Sequence, residues 1–304
     1  MTISVPANLL LAGEYLILEP HVRGLIFSCE PRIFLTCKPA ESFCIESDMG
    51  NQKIHYQQGG SNKLFNAVEK VFSQKYPAAE IFKPWKITIN SSAFFKKSGE
   101  KKGFGSSAAV TISYCACLFR LCFNRQPENN ELFQLSLEAH RLFQDGRGSG
   151  YDIAASIYGG FRAYQSLPVP KISEPISWPF HSAKLRIAEK PVSTPEAVKK
   201  YELWKSTHQT DFQIIKTRYK ALVNSLCEPI HVNEKLGIMQ KIKELFLQLG
   251  DAIGVDSYFP EDKGDFCKSL GAGNEIAILL NHSSHTNTTD DLIMDTKGIQ
   301  WNAW

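Results

Sequence analysis

The sequence predicts an α+β fold, because short strand-like stretches dominate its first ninety residues and a long apolar helix and further helices follow them. The strands are predicted at 3–12, 25–27, 33–38, 43–46, 53–57 and 85–90. An apolar stripe from Leu64 to Phe72 recurs at helical spacing and predicts a helix between the last two strands. A second predicted helix, 106–123, is apolar nearly all round, so we expect it deep in the core.

The second half of the sequence predicts a second domain. The 304 residues are enough for two domains, and the proline-rich stretch 168–170 is typical of a linker. The predicted domains therefore span 1–167 and 168–304. Further helices are predicted at 128–144, 194–205, 209–226 and 233–250, and further strands at 185–188 and 276–280.

Composition excludes several classes of partner. With 43% hydrophobic residues and a formal net charge of +3, the chain is expected to be a soluble globular protein without a nucleic-acid partner. Residues 1–6 lack the pattern of a signal peptide and no run is as apolar and long as a membrane span, so we expect no membrane and a cytoplasmic location. The eight cysteines show no C-x-x-C spacing and are expected to be reduced, mostly buried thiols. Nothing in the composition decides between a monomer and a homodimer.

A glycine-rich stretch from Lys101 to Val110 predicts a phosphate-binding site. Gly103 and Gly105 remove the side chains that would keep a backbone away from a bulky anion, and Ser106 and Ser107 follow where the second helix begins. The first turn of a helix has N–H groups without intrahelical partners and about half a positive charge. The serine hydroxyls can bond a phosphate or a bound cation.

Two known phosphate-binding motifs do not fit this loop. A Walker loop needs a lysine after its last glycine, and none follows Gly105. The dinucleotide fingerprint matches at Gly103, Gly105 and Ala108, but the polar loop 98–102 stands where a strand should precede it. A serine-capped helix after a flexible loop stays open as the structural alternative.

Two more glycine-rich stretches are informative. In the stretch 145–160, three glycines precede Asp152 and could place its carboxylate at a crowded site, although from the local sequence alone a helix cap is the favoured explanation of the aspartate. The stretch 268–275 contains a Gly-Ala-Gly turn before the strand 276–280. By itself this turn is structural.

Taken together, the order and spacing of these stretches resemble the GHMP kinases. Residues 6–18 are similar to the family's first motif, 103–109 to its second, ATP-binding motif, and 268–273 to its third. Within the family the pattern resembles the phosphomevalonate kinases most, in the start 13–20, in the segment 148–160 around the catalytic aspartate, and in a P-x-S-T element at 191–194. The resemblance implies a two-domain GHMP kinase fold, with a ribosomal protein S5 domain 2-like N-terminal domain and a ferredoxin-like C-terminal domain.

The resemblance also implies a reaction. The γ-phosphate of ATP, with Mg²⁺, would pass to 5-phosphomevalonate to give 5-diphosphomevalonate in the mevalonate pathway of isoprenoid biosynthesis. Mevalonate or another small hydroxylated acceptor, such as a sugar or homoserine, is the alternative, and a non-catalytic nucleotide-binding relative is a third possibility. The implied catalytic residues are Asp152 and Lys101. The implied nucleotide-binding residues are Gly103, Phe104, Gly105, Ser106, Ser107 and Ala108. The implied substrate-binding residues are Asn8, Glu14, Tyr15, Arg147, Ser149, Gly150, Ser193, Gly271, Ala272 and Gly273, and the implied metal ligands are Ser107 and Glu138.

The sequence departs from the family pattern at several points. The lysine of the first motif is replaced by Asn8, so Lys101 is the candidate for the missing cation. Glu275 replaces a glycine in the third motif and would repel a triphosphate unless it points away or meets the metal. His140 could bond a substrate phosphate, although on an amphipathic helix a structural role is the simpler interpretation.

Overall fold

A computed structural model of the chain describes residues 1–146, 148–178, 180, 183–187, 194–228, 231–259, 266–271, 273, 276–280 and 290–302. The chain forms two compact units. Unit 1 comprises Met1–Asn8, Phe27–Gly160 and Met294–Trp304, and unit 2 comprises Leu9–Ile26 and Phe161–Ile293. Each unit takes segments from more than one part of the chain, and the assignment of 1–167 and 168–304 as family domains stays a prediction.

Runs of strands are followed by runs of helices, as the sequence predicts for an α+β fold. The strands are β1 Thr2–Ala12, β2 Arg23–Pro39, β3 Cys44–Asp48, β4 Lys53–Tyr56, β5 Trp85–Asn90, β6 Phe161–Gln165, β7 Lys171–Ile172, β8 Ala183–Ile187, β9 Phe266–Leu270, β10 Ile276–Leu280, β11 Asp290–Asp291 and β12 Gln300–Asn302. The helices are α1 Lys63–Lys75, α2 Ser106–Phe123, α3 Asn129–Phe143, α4 Tyr151–Tyr158, α5 Thr194–Thr207, α6 Gln209–Cys227 and α7 Val232–Ile253.

The larger sheet has the strand order β12-β1-β2-β5-β3-β4, and β6 and β7 extend it beside β2. β5 lies between an antiparallel β2, with Leu35 opposite Ile89, and a parallel β3, with Ile45 opposite Ile87. The prediction of two separate strands at 25–27 and 33–38 was wrong, because both belong to the single strand β2.

The middle of β2 is polar, which hid its continuity in the sequence. Arg32 is buried there and forms an ion pair with Asp295. Its guanidinium also donates to the backbone carbonyls of Ser4 at 2.9 Å and Gly298 at 2.7 Å. A buried arginine is tolerated when its charge and donors are satisfied in this way.

Helix α2 forms the centre of unit 1 and has the bounds that the sequence predicts. Its apolar window is long enough to cross a membrane by length and composition, but 72% of that window is buried inside the protein. Phe72 of α1 packs edge-on against Phe119 of α2 with ring centroids 5.4 Å apart. Its burial identifies α2 as a core helix of the domain.

Unit 2 contains a four-stranded sheet with the order β11-β8-β10-β9 and the helices α5, α6 and α7. The fully apolar β10 is antiparallel to both of its neighbours, so that Ile278 lies opposite Leu185 on β8 and Lys268 on β9. The sequence predicts β10 with these bounds but not β9, which contains the buried Lys268.

Candidate active site

The glycine loop ends in a helix start that no side chain caps. Gly103 and Gly105 have φ angles of 86° and 72°, in the left-handed region that glycine adopts without strain. Gly105 is the N-cap of α2, and the first N–H to bond back to it is that of Ala109, at 3.2 Å from the Gly105 carbonyl oxygen. The N–H groups of the first turn therefore lack intrahelical acceptors and lie at the positive end of the helix, an arrangement that suits an anion.

Asn8 holds this loop against β1. Its backbone N–H donates to the Phe104 carbonyl at 3.3 Å, and its Nδ2 donates to the Ser156 hydroxyl at 3.0 Å. Asn8 Oδ1 is buried and has no hydrogen-bond partner among the described residues. A Cβ on Gly105 would collide with the Asn8 amide, so this pair makes the glycine obligatory. Asn8 thus packs the loop against β1 and supplies no positive charge, and its role in substrate binding stays a prediction.

Three polar side chains from three helices meet beside the loop. His140 of α3, only 2% exposed, has its Nε2 3.1 Å from Ser107 Oγ on α2. Its Nδ1 lies 3.5 Å from Asp152 Oδ2 on α4. If Asp152 is ionised, it favours the tautomer with the proton on Nδ1, and Nε2 then accepts the Ser107 hydroxyl proton. The geometry thus links Ser107 to Asp152 through one buried imidazole.

Asp152 lies in the first turn of α4 and does not form its cap. The N-cap is Gly150, with a φ of 82°, and Asp152 Oδ1 accepts the N–H of Ile153 at 2.9 Å. The alternative interpretation, in which Asp152 is the N-cap of this helix, is therefore wrong. The side chain remains 19% exposed, so one carboxylate face is open to a ligand.

Lys101 is an exposed lysine at the entrance to the glycine loop. The backbone of Lys101 forms a β-bridge to that of Phe95. Its ammonium group has no ion pair or hydrogen bond to any described residue. The neighbouring Lys102 is different, because its Nζ donates to the Ala93 carbonyl at 3.1 Å. Of these two lysines, Lys101 is the one whose charge is available to a ligand.

The predicted metal ligand Glu138 is separated from this cluster. It is exposed on α3, two residues before the buried His140, and therefore points about 200° away around the helix. In the part of the chain that the structure describes, no group of three histidine, cysteine or acidic side chains could hold a metal ion. The role of Glu138 as a metal ligand stays a prediction.

In unit 2, Glu14 forms a buried ion pair with Lys268. The two residues are 5% and 2% exposed, and Glu14 Oε2 also accepts the N–H of Gly13 at 3.1 Å. Burial raises the pKa of the Glu14 carboxyl, while the Lys268 ammonium opposes that rise. Sequence reasoning missed Lys268, whose only signal was its place at the start of the third motif.

The neighbouring Tyr15 is also buried in unit 2. Its ring stacks on that of Tyr201 with centroids 5.4 Å apart, and burial raises the pKa of its phenol. Its φ of 60° is unusual for a bulky residue and shows that the surrounding packing fixes its position.

Some of the remaining predicted residues lie within the described part of the chain and others lie outside it. Ser149 is buried, and its hydroxyl accepts the N–H of Tyr151 at 3.4 Å, while Gly271 has a φ of 79° and Gly273 is buried. Arg147, Ser193, Ala272 and Glu275 lie outside the described residues.

Comparison with known proteins supports the family resemblance. Residues 62–160 match the model of the GHMP kinases N terminal domain, which confirms the resemblance over that part of the chain. Phosphomevalonate kinases are among its relatives. The one from Streptomyces sp. is 29% identical over 190 residues, which are 53% of this chain and 48% of the relative. The one from Saccharolobus solfataricus is 28% identical over 162 residues, or 52% and 47% of the two chains.

The matched region thus spans about half the length of these curated relatives. A solved structure, that of Streptococcus pneumoniae phosphomevalonate kinase in complex with phosphomevalonate and AMPPNP, superimposes with a TM-score of 0.77. It is 20% identical, with 93% of each chain covered. This likeness confirms the predicted GHMP kinase fold.

Proposed function

We propose that this protein is an ATP-dependent phosphotransferase that converts 5-phosphomevalonate to 5-diphosphomevalonate. The observation that carries the proposal is the Ser107–His140–Asp152 cluster at the uncapped start of α2. It joins a helix end that suits the nucleotide phosphates to a partly exposed carboxylate that could orient the acceptor. Phosphoryl transfer depends mainly on such positioning and on charge stabilisation. The acceptor is proposed from the relatives, since two are phosphomevalonate kinases and the solved structure binds phosphomevalonate.

The glycine loop would hold the nucleotide. Backbone N–H groups of Ser106, Ser107 and Ala108 would face the nucleotide phosphates at the helix end, and Gly103 and Gly105 would allow their close approach. AMPPNP in the solved relative supports ATP as the nucleotide. Mg²⁺ would neutralise charge on the triphosphate, and the Ser107 hydroxyl is its proposed protein ligand. One protein ligand is compatible with Mg²⁺, because this ion often keeps most of its ligands as water and phosphate oxygens.

The chain's own residues then act by position and charge. Asp152, held by His140 and by the Ile153 N–H, would orient the acceptor. A phosphate acceptor is already ionised at neutral pH, so Asp152 need not remove a proton from it, whereas a hydroxyl acceptor would require a base. The exposed ammonium of Lys101 would stabilise negative charge on the transferred phosphoryl group in place of the cation that Asn8 does not supply.

This proposal places the enzyme in the mevalonate pathway and in the cytoplasm, as a monomer or homodimer. The roles of Glu14, Tyr15, Ser149, Gly150, Gly271 and Gly273 in acceptor binding stay predictions.

The decisive experiment measures ADP release from ATP and Mg²⁺ with 5-phosphomevalonate, mevalonate, homoserine and galactose offered separately. Release with 5-phosphomevalonate alone is the expected result. Turnover with a different acceptor would replace the substrate but keep the class. ATP binding without turnover on any acceptor would favour the non-catalytic relative, and full activity of both Asp152→Asn and Ser107→Ala would refute the site.

A further inference from the structure

A small polar pocket lies in unit 2, formed by residues that the proposed phosphoryl transfer does not use. Its volume is about 270 Å³, and its lining residues are His21, Arg23, Gln165, Lys220, Val223 and Asn224. They come from the segment before β2, the start of β2, the end of β6 and the second half of α6. Elements that are distant in sequence therefore converge on one polar cavity.

The charge of this pocket is one-sided. Three of its six lining residues are basic or can become so, namely His21, Arg23 and Lys220, and none of the six is acidic. Arg23 is fixed in place because its Nη2 donates to Asn224 Oδ1 at 2.6 Å. That contact uses one of the five guanidinium N–H donors and neutralises no charge. Within the lining itself, no acidic side chain offsets the charges of Arg23 and Lys220.

A buried donor in the pocket lacks an acceptor. Gln165 Nε2 is excluded from solvent and has no hydrogen-bond partner among the described residues. Leaving such a donor unsatisfied destabilises the fold, so native structures normally supply an acceptor. Gln165 is held in β6 opposite Lys171 of β7, and the main chain of His21 is held by its N–H bond to the Leu167 carbonyl at 2.9 Å. The main chain of Gln165 is thus held at the edge of the pocket.

We propose that this pocket binds a phosphate group of a small-molecule anion, either free or as an ester. A tetrahedral phosphate presents oxygens in several directions, which suits donors that arrive from β2, β6 and α6. The Arg23 fork and the Lys220 ammonium would each meet a separate oxygen, and the Gln165 amide would turn its covered Nε2 toward a third. The inference does not depend on the proposed phosphotransferase activity, because it concerns binding and uses other residues.

The test follows the Gln165 side-chain amide by ¹H–¹⁵N NMR of the full-length protein. Its NH₂ signals are identified by their absence in the near-isosteric Gln165→Glu variant. Titration with inorganic phosphate should shift these signals to saturation, whereas sodium chloride at equal ionic strength should not. Arg23→Gln and Lys220→Gln should each weaken binding by about three- to tenfold, the range expected for one charged donor at an exposed site. Lys241→Gln, which removes an exposed lysine from α7 outside the pocket, should leave the affinity unchanged.

The outcomes separate the proposal from simple charge attraction. A static Gln165 signal, an equal response to chloride, or an equal loss of affinity in Lys241→Gln would overturn it. Phosphate bound at the glycine loop would move other signals and leave Gln165 unchanged, so it cannot be mistaken for this site. A parallel titration with AMP distinguishes the sources: a Gln165 response to AMP shows that the pocket takes an esterified phosphate, and a response to inorganic phosphate alone shows that it takes the free ion.

Discussion

His140 Nε2 lies 3.1 Å from Ser107 Oγ, although the two residues belong to different helices and are 33 positions apart in the chain. The other ring nitrogen faces Asp152 at 3.5 Å. A single buried imidazole thus fixes both the serine of the nucleotide loop and the carboxylate that would orient the acceptor. This makes His140 a positioning residue for both halves of the proposed reaction.

The two contacts of His140 can be separated by substitution. An asparagine amide nitrogen can donate to Asp152 in place of Nδ1–H, and a glutamine amide oxygen can accept the Ser107 hydroxyl proton in place of Nε2. We therefore expect His140→Asn mainly to raise the KM for ATP, since it loses Ser107, and His140→Gln mainly to lower kcat, since it loses Asp152. Each effect should be about tenfold, which is a typical consequence of sub-ångström misplacement. Steady-state kinetics would contradict this role if both variants kept wild-type values or changed both constants alike.

Lys101 is expected to act through its charge on the transferred phosphoryl group. Lys101→Met should lower kcat by about a hundredfold, as expected when one charged group that stabilises a transition state is lost, with little change in stability. Lys97→Met is the matched control, because Lys97 is an exposed lysine of the same loop and should be neutral. Equal rates for the two variants would show that the cation missing at Asn8 is supplied elsewhere.

Gly105 is expected to be intolerant of a side chain for two reasons. Its φ of 72° costs an L-residue roughly 1–2 kcal/mol, and a Cβ would collide with the Asn8 amide. Gly146 is the matched control, since its φ is 82° but a Cβ there meets nothing within 4 Å. Urea denaturation should therefore show a larger loss for Gly105→Ala than for Gly146→Ala, by about 1–3 kcal/mol of overpacking. Adding Asn8→Ala to Gly105→Ala should recover part of the difference, and a strictly additive double variant would argue against the collision.

How far the sequence predicts this molecule depends on whether a feature is local. The bounds of α2 follow from a mostly apolar stretch directly after Gly105, and those of β10 from the uninterrupted apolar run Ile276–Leu280, and both predictions were confirmed. The continuity of β2 was missed because Arg32 in its middle is satisfied by Asp295, a partner far away in the chain. For the same reason the Glu14–Lys268 pair was not foreseen. The sequence alone also does not show which face of α3 is buried, and the structure places His140 on the buried face and Glu138 on the exposed one. Long-range partners and helix faces need the fold itself.

Glu69 gives the fold a defined pH dependence. Its carboxylate is buried and accepts the hydroxyls of Tyr56 at 2.6 Å and Tyr114 at 2.8 Å, and burial raises the pKa of the carboxyl above its usual 4.5. A raised folded pKa means that this group's contribution to stability is full below pH 4.5 and is lost as the pH rises through the folded value. The free energy of unfolding of Glu69→Gln relative to the wild type should therefore increase with pH over that range.

Glu131 provides the opposite control for the same denaturation series. The Arg125 guanidinium hydrogen-bonded to it lowers the pKa of its carboxyl, so its contribution is present above the usual pKa and is lost as the pH falls. Glu131→Gln should therefore become relatively less stable as the pH rises. Parallel curves for the two variants would show that burial does not control the Glu69 carboxyl.

The Glu14–Lys268 pair tests whether a residue of the first motif serves the fold or the acceptor. Lys268→Met leaves a buried carboxylate without its partner and should cost about 3–5 kcal/mol at neutral pH. The loss should be smaller in acid, because removing the ammonium raises the pKa of Glu14 further and the carboxyl then takes up a proton. The double variant Glu14→Leu/Lys268→Met removes both charges and should recover most of the stability. If Glu14 acts only within unit 2, turnover of 5-phosphomevalonate should recover with it; if stability returns and turnover does not, Glu14 contacts the acceptor as the family resemblance implies.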